Sequence, residues 1–313
     1  MYKAEPALLE LASVSVQYRL RRRASLRPFG TSMFTAVSDV TLDVQRGETV
    51  AIVGESGSGK STLARAVMGL VRDTSGSIRL EGEERVGASR TVIRTMRPKM
   101  QMVFQDPYSS LNPSMMVLDL VAEPLDVHRS LSAEERRAAV VDVLRKVGLD
   151  EGHLERFPYE FSGGQRQRIA IARSIVLSPR IVVLDEPVSA LDIPTQNQIV
   201  QLLEDLRRNF GTAFLIIAHD LSLVRHIADR VAVMYKGRLV EFGTTEAVYS
   251  DPKDPYTRAL LRSVPYPDPR VQRERRMADK LISRDSDGSS SMRAMGSTPG
   301  VDGSPPALKA VIT

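Results

Sequence analysis

The stretch Thr49-Val50-Ala51-Ile52-Val53-Gly54-Glu55-Ser56-Gly57-Ser58-Gly59-Lys60-Ser61-Thr62 decides the fold. It opens on an unbroken apolar run, as a strand buried on both faces requires. Gly54 to Ser61 then fit the pattern G-x-x-x-x-G-K-[ST], and a helical run follows. Glycines permit the tight turn that aims backbone N–H groups at an anion, and the N-terminus of the helix adds partial positive charge. The loop from Gly54 through Thr62 is therefore assigned to a bound nucleotide. Lys60 is expected to contact its β- and γ-phosphates, and the Ser61 hydroxyl to ligate Mg²⁺.

A second apolar run, Ile181-Val182-Val183-Leu184, ends in Asp185-Glu186. A buried strand ending in two carboxylates places Asp185 near Mg²⁺ and Glu186 beside an attacking water, as the general base. Two further polar residues follow short apolar runs: Gln105 after Met102-Val103-Phe104, and His219 after Ile216-Ile217-Ala218. Ligands of parallel α/β sheets gather at the carboxyl ends of the strands, so both can reach one nucleotide. The histidines at 128, 153, 219 and 226 show no metal-ligand spacing, which argues against zinc.

Around these runs the chain alternates strand and helix. Residues 11–18 and 40–44 read as strands, and the arginine-rich stretch between them, with Pro28 and Gly30, as a loop. From 106 to 160 the pattern turns helical. Ser132-Ala133-Glu134-Glu135 is a capping box, Val140, Val143, Leu144 and Val147 follow at helical spacing, and Gly148 supplies the stop. This segment reads as a helical insertion. Strands at 181–184 and 214–218 flank a helix carrying Ile199, Leu202, Leu203 and Leu206, which implies a parallel sheet covered by helices. Residues 231–242 read as a hairpin around Lys236-Gly237. From about 268 onward the composition of Arg, Ser, Gly and Pro reads as a largely disordered extension.

The 313 residues contain no cysteine, which excludes disulfides, thiolate metal sites and a cysteine nucleophile. No apolar run reaches the roughly 18–20 residues of a membrane helix, and residues 1–18 lack the features of a secretory signal. These features read as cytoplasmic. The net charge of +5 is read as a matter of solubility, although Arg19, Arg21, Arg22, Arg23 and Arg27 concentrate it locally. Only 5% of residues are aromatic and none is tryptophan, which gives no support to a nucleic-acid partner.

One segment does not fit a single nucleotide site. Ser162-Gly163-Gly164-Gln165 looks like a second phosphate cradle, a hundred residues beyond the first. Taken in order, the loop at Gly54–Thr62, Gln105, Ser162-Gly163-Gly164-Gln165, Asp185-Glu186, Ser189-Ala190-Leu191-Asp192 and His219 resemble the ATPases of ABC transporters over roughly residues 7–265. The resemblance implies a P-loop NTPase α/β core with a parallel sheet, an N-terminal antiparallel β subdomain and an inserted α-helical subdomain at about 106–160. Residues 266–313 form a C-terminal extension. It also implies ATP and Mg²⁺ as ligands. Two cassettes pack head to tail, each capping the other's γ-phosphate with Ser162, Gly163, Gly164 and Gln165. Tyr18 stacks on adenine, and Gln105 joins Mg²⁺ to the helical subdomain. Asp192 links the two sites, and His219 holds the γ-phosphate and the water.

A narrower resemblance rests on Phe104-Gln105-Asp106-Pro107-Tyr108-Ser109-Ser110-Leu111-Asn112-Pro113, on Glu160-Phe161, and on Pro255-Tyr256-Thr257-Arg258-Ala259-Leu260-Leu261. These residues, with the arginine-rich insert, are similar to the oligopeptide, dipeptide and nickel importer branch. Asp254 departs from the histidine common there, and the lack of cysteine rules out the iron–sulfur cluster of some members. The branch implies a second ATPase chain, identical or related, two transmembrane permease subunits and an extracytoplasmic solute-binding protein. It places the chain peripherally on the cytoplasmic face of the inner membrane. The competing reading is a soluble ATPase of the same superfamily in DNA repair or translation. The insertion is too short for the coiled coils of the former, and the single cassette differs from the paired cassettes usual in the latter.

Overall fold

The computed structural model describes residues 6–21, 31–106 and 110–263. Strands β1 (Leu9–Arg21) and β2 (Thr31–Val44) pair antiparallel, then β3 (Thr49–Val53) runs into the glycine loop and helix α1 (Lys60–Val67). Next come β4 (Thr74–Leu80), the two-residue β5 (Glu83–Glu84), α2 (Arg90–Met96) and β6 (Met100–Val103). Helices α3 (Val117–His128), α4 (Ala133–Lys146) and α5 (Gly163–Ile175) precede β7 (Ile181–Asp185), α6 (Ile193–Phe210) and β8 (Ala213–Ile217). The remainder is α7 (Leu221–Ile227), β9 (Arg230–Tyr235), β10 (Arg238–Thr244), α8 (Thr245–Ser250) and α9 (Pro255–Arg262).

The strands form two sheets. One is four-stranded, in the order β2-β1-β4-β5, with every pairing antiparallel. The other has the order β10-β9-β3-β8-β7-β6 and is parallel except for the β9–β10 hairpin. This is the α/β fold with an antiparallel β subdomain expected from the sequence.

Every residue of β3, β7 and β8 is buried, and alternate side chains serve different cores. Ala51, Val53, Val182, Leu184, Phe214 and Ile216 join the helices α3 to α6. Val50, Ile52, Ile181, Val183, Leu215 and Ile217 join α1 and the antiparallel sheet. An unbroken apolar strand is the only pattern that satisfies both faces.

Described residues from 110 to 160 contain α3, α4 and two short 3₁₀ turns but no strand. Ser132 and Glu135 form the reciprocal cap: the Glu135 N–H donates to Ser132 Oγ at 3.2 Å and the Ser132 N–H to Glu135 Oε2 at 2.8 Å. Val140, Val143, Leu144 and Val147 are buried. Gly148 has φ of 73°, the left-handed geometry of a helix stop.

One reading needs correction. The first strands run to Arg21 and from Thr31, so Arg19 and Arg21 belong to β1 rather than to a loop. Arg22, Arg23, Arg27, Pro28 and Gly30 lie outside the described residues, as do Pro107, Tyr108, Ser109 and the extension from 264 onward. The segment between α1 and β6, left unassigned from the sequence, holds β4, β5 and α2. In β4 only Ile78 and Leu80 are buried, and the strand is held by its ladder to β1.

Candidate nucleotide site

Because β3, β8, β7 and β6 are parallel neighbours, their carboxyl ends open on one edge. Gly54, Ala218, Glu186 and Phe104 each leave a strand there. The edge is set by register: Ile52 pairs with Ile217, and Ile217 with Asp185.

The loop after β3 is shaped by three glycines with positive φ: Gly54 (145°), Gly57 (80°) and Gly59 (103°). A Cβ on Gly54 would lie 2.2 Å from the Met234 carbonyl oxygen, and one on Gly59 2.6 Å from that of Ala36. The backbone is thus wedged between β9 and β2. The Gly237 N–H donates to the Ser58 carbonyl at 2.9 Å, and the Ser38 N–H to the Gly237 carbonyl at 2.7 Å. The β9–β10 turn therefore ties the loop to β2. The Glu55 N–H donates to Tyr256 Oη at 3.0 Å.

Lys60 folds over the loop, donating from Nζ to the Gly54 and Glu55 carbonyls at 2.7 and 2.8 Å. Burial lowers its pKa, opposed by Glu186, Asp185 and Glu55. Ser61 Oγ donates to Asp185 Oδ1 at 2.9 Å. Asp185 is buried, and that burial raises its carboxyl pKa, although the Ser61 hydrogen bond and Arg65 oppose it. Glu186 leaves the strand with φ of 48°, a left-handed conformation uncommon for such a side chain. Its Oε2 accepts from Gln105 Nε2 at 2.8 Å and lies 3.3 Å from His219 Nδ1.

The residues fit a nucleotide with its metal. Ser58 Oγ is buried and has no hydrogen-bond partner, and the loop's tight turn leaves no room for a Cβ at Gly54 or Gly59. Ser61 and Asp185 offer two adjacent oxygen donors of the kind Mg²⁺ takes, alongside phosphate oxygens.

Ser162-Gly163-Gly164-Gln165 forms a second capping box. The Gln165 N–H donates to Ser162 Oγ at 3.3 Å and the Ser162 N–H to Gln165 Oε1 at 3.1 Å. The hydrogen bonds of its two side chains stay within α5. Gly164 packs so closely on α6 that a Cβ would lie 2.4 Å from Thr195 Cγ2. Asp192 caps α6 by accepting from the Thr195 N–H at 3.1 Å, so the segments carrying Gly164 and Asp192 abut.

Tyr18 stands apart from the hydrogen-bonded cluster. It is half-buried on β1 opposite Phe34, two residues before the Ala36 carbonyl that abuts Gly59. Tyr256, quoted above only for the branch resemblance, was missed as a neighbour of the phosphate loop. Its contact with Glu55 spans 201 positions and leaves no local signature.

The ABC transporter family model matches residues 37–189, spanning the loop and Glu186. The chain is 46% identical over 269 residues to the oligopeptide transport ATP-binding protein OppF of Escherichia coli, covering 86% of this chain and 80% of that protein. This chain belongs to the ABC transporter ATPases. It is an ATP-binding and ATP-hydrolysing cassette of that family. It is also 49% identical over 242 residues to the di/tripeptide transport ATP-binding protein DppF of Pseudomonas aeruginosa, covering 77% and 75% of the two chains. Residues 240–288 match the family described as oligopeptide/dipeptide transporter, C-terminal region.

Among solved structures it resembles cbiO1 of Clostridium perfringens, part of an ABC transporter complex. The TM-score is 0.67 and the identity 29%, covering 79% and 92% of the two chains. A dimeric ATP-binding cassette in a post-hydrolysis state with ADP and Pi superposes with a TM-score of 0.66 at 30% identity, covering 76% and 98%. Cassettes of this family thus form dimers. No described helix of this chain is long and apolar enough to cross a membrane.

Proposed function

We propose that this ABC ATPase energises uptake of oligopeptides or dipeptides. It works on the cytoplasmic face of the membrane with a second cassette, two permease subunits and an extracytoplasmic binding protein. The observation that carries the chemistry is the gathering of Lys60, Ser61, Asp185, Glu186, Gln105 and His219 on one sheet edge. The peptide assignment is supported by the named peptide-transport relatives and by the C-terminal match at 240–288.

Backbone N–H groups of residues 54–62 and the N-terminus of α1 receive the phosphates. Lys60 Nζ, oriented by the Gly54 and Glu55 carbonyls, reaches the β- and γ-oxygens. Mg²⁺, held by Ser61 and Asp185, would neutralise charge on those oxygens. Gln105 and His219 orient the Glu186 carboxylate toward a water in line with the γ-phosphate, and Glu186 takes its proton. Tyr18 packs on the adenine. The Ser162–Gln165 turn, with the free N–H groups of its helix start, closes over the γ-phosphate on the partner's loop, and Asp192 lies along the same seam. Loss of that phosphate weakens the seam and opens the dimer.

Uptake of a labelled tripeptide and pentapeptide by cells lacking this chain tests the reading. Uptake is expected to fall and to return with the wild-type gene but not with Glu186→Gln. Unaltered uptake of both peptides in the deletion would reject the peptide assignment.

A further inference from the structure

We infer that Tyr256 is a positioning residue for nucleotide binding, acting through Glu55 on Lys60; this rests on the phosphate-binding role given to Lys60 above. Glu55 is clamped from two sides. Its N–H donates to Tyr256 Oη at 3.0 Å, and its carbonyl accepts from Lys60 Nζ at 2.8 Å. The Gly54–Glu55 peptide group carries both this N–H and the Gly54 carbonyl, which accepts from Lys60 Nζ at 2.7 Å, so moving that group moves an anchor of the only side-chain cation in the loop.

The phenol is itself held in place. Its ring stacks on Tyr235 with centroids 4.2 Å apart. Tyr235 precedes the Lys236-Gly237 turn, whose Gly237 N–H bonds Ser58, so the same hairpin braces the loop twice. Helix α9 is fixed at its start by Glu241 of β10, whose carboxylate accepts from the Lys253 and Asp254 N–H groups at 2.8 and 3.1 Å. Asp254 then caps the helix by accepting from the Tyr256 N–H at 2.7 Å. This chain of fixed groups runs from the C-terminal region to the phosphate loop. A residue clamped in advance loses less freedom when a ligand binds, so the brace strengthens affinity by preorganisation.

The test is equilibrium binding of Mg-ATP to the full chain, read by displacement of a fluorescent ATP analogue, with the thermal midpoint of the nucleotide-free protein alongside. Tyr256→Phe keeps the ring stack and removes only the acceptor. The expected Kd rises about 3- to 10-fold, the effect of losing one such hydrogen bond, while the nucleotide-free midpoint stays near wild type. In a Lys60→Ala background the same change should alter the remaining affinity less than about twofold, because the group being positioned is gone. An unchanged Kd, an equal loss in both backgrounds, or a fall in the nucleotide-free midpoint that accounts for the weaker binding would each overturn the inference. If Lys60→Ala itself binds like wild type, the nucleotide-site reading fails instead.

Discussion

Gln105 and Glu186 are joined by a hydrogen bond of 2.8 Å that bridges the ends of two neighbouring strands, β6 and β7. Gln105 lies two residues beyond the end of β6, on the way to the helical segment, so a shift of that segment is felt at the carboxylate assigned to activate water. Replacing Gln105 with Leu should lower kcat about 10-fold through misorientation of the base and leave the Kd for ATP within about twofold. Parallel measurements of phosphate release and nucleotide binding check this. Equal loss of both would mean that Gln105 serves binding instead.

Lys60→Ala removes two hydrogen bonds to loop carbonyls and the cation intended for the phosphates. Charge-assisted hydrogen bonds contribute about 1.5–3 kcal/mol, so ATP affinity should fall roughly 10- to 150-fold. Calorimetric titration with Mg-ATP reads this directly.

Gly163 and Gly164 separate sterics from charge. A Cβ on Gly164 would clash with Thr195, whereas one on Gly163 meets only Leu191 Cδ2 at an ordinary 3.5 Å. An aspartate at position 163 also suits the first turn of a helix. Gly163→Asp should therefore fold and bind ATP in one chain, yet lose hydrolysis by at least about 100-fold, because its carboxylate faces the partner's γ-phosphate. Loss of binding in the isolated chain would place this turn on its own nucleotide.

Asp185 carries a stability signature opposite to its function. Burial raises its pKa in the folded protein, so the folded state holds the proton more tightly than the unfolded chain. The favourable contribution is complete below the ordinary value of about 3.9 and is lost as pH rises through the raised value. Asp185→Asn should thus raise the thermal midpoint of the nucleotide-free protein at neutral pH. The gain should shrink as pH falls toward about 4. The same variant should lose stabilisation by Mg-ATP, since a metal ligand is gone. Scanning calorimetry across pH, with and without Mg-ATP, separates the two effects.

What the sequence revealed followed from burial. Val182 and Leu184 face one core while Ile181 and Val183 face the other, so β7 is an unbroken apolar run and its terminal Asp185 and Glu186 stand out. Gln105 and His219 are legible for the same reason, because strand ends position them, and Lys60 because it closes the glycine-loop pattern at the start of α1. The first half of β2 was not legible. It lies at a sheet edge with Met33 and Phe34 about half exposed, at 51% and 52%, and register shifts interrupt its ladder with β1. In β4, Ser75-Gly76-Ser77 carries no strand signal, and pairing with β1 overrides local preference. Tyr256 could not be linked to Glu55 because their contact depends on the whole fold between them.

The central claim is that Glu186 activates water within a dimer closed by two shared phosphate sites. Glu186→Gln keeps the size of the side chain and its capacity to accept from Gln105, but removes the base. Hydrolysis should fall by about 100-fold or more. With turnover blocked, the closed pair should accumulate in Mg-ATP. Size-exclusion chromatography of Glu186→Gln with and without Mg-ATP is the decisive measurement, run on this chain alone and mixed with a related cassette from the same system. The account predicts an ATP-dependent shift to dimer that wild type shows only transiently. Normal hydrolysis by the variant, or a nucleotide-saturated competent pair that stays dissociated, would contradict it.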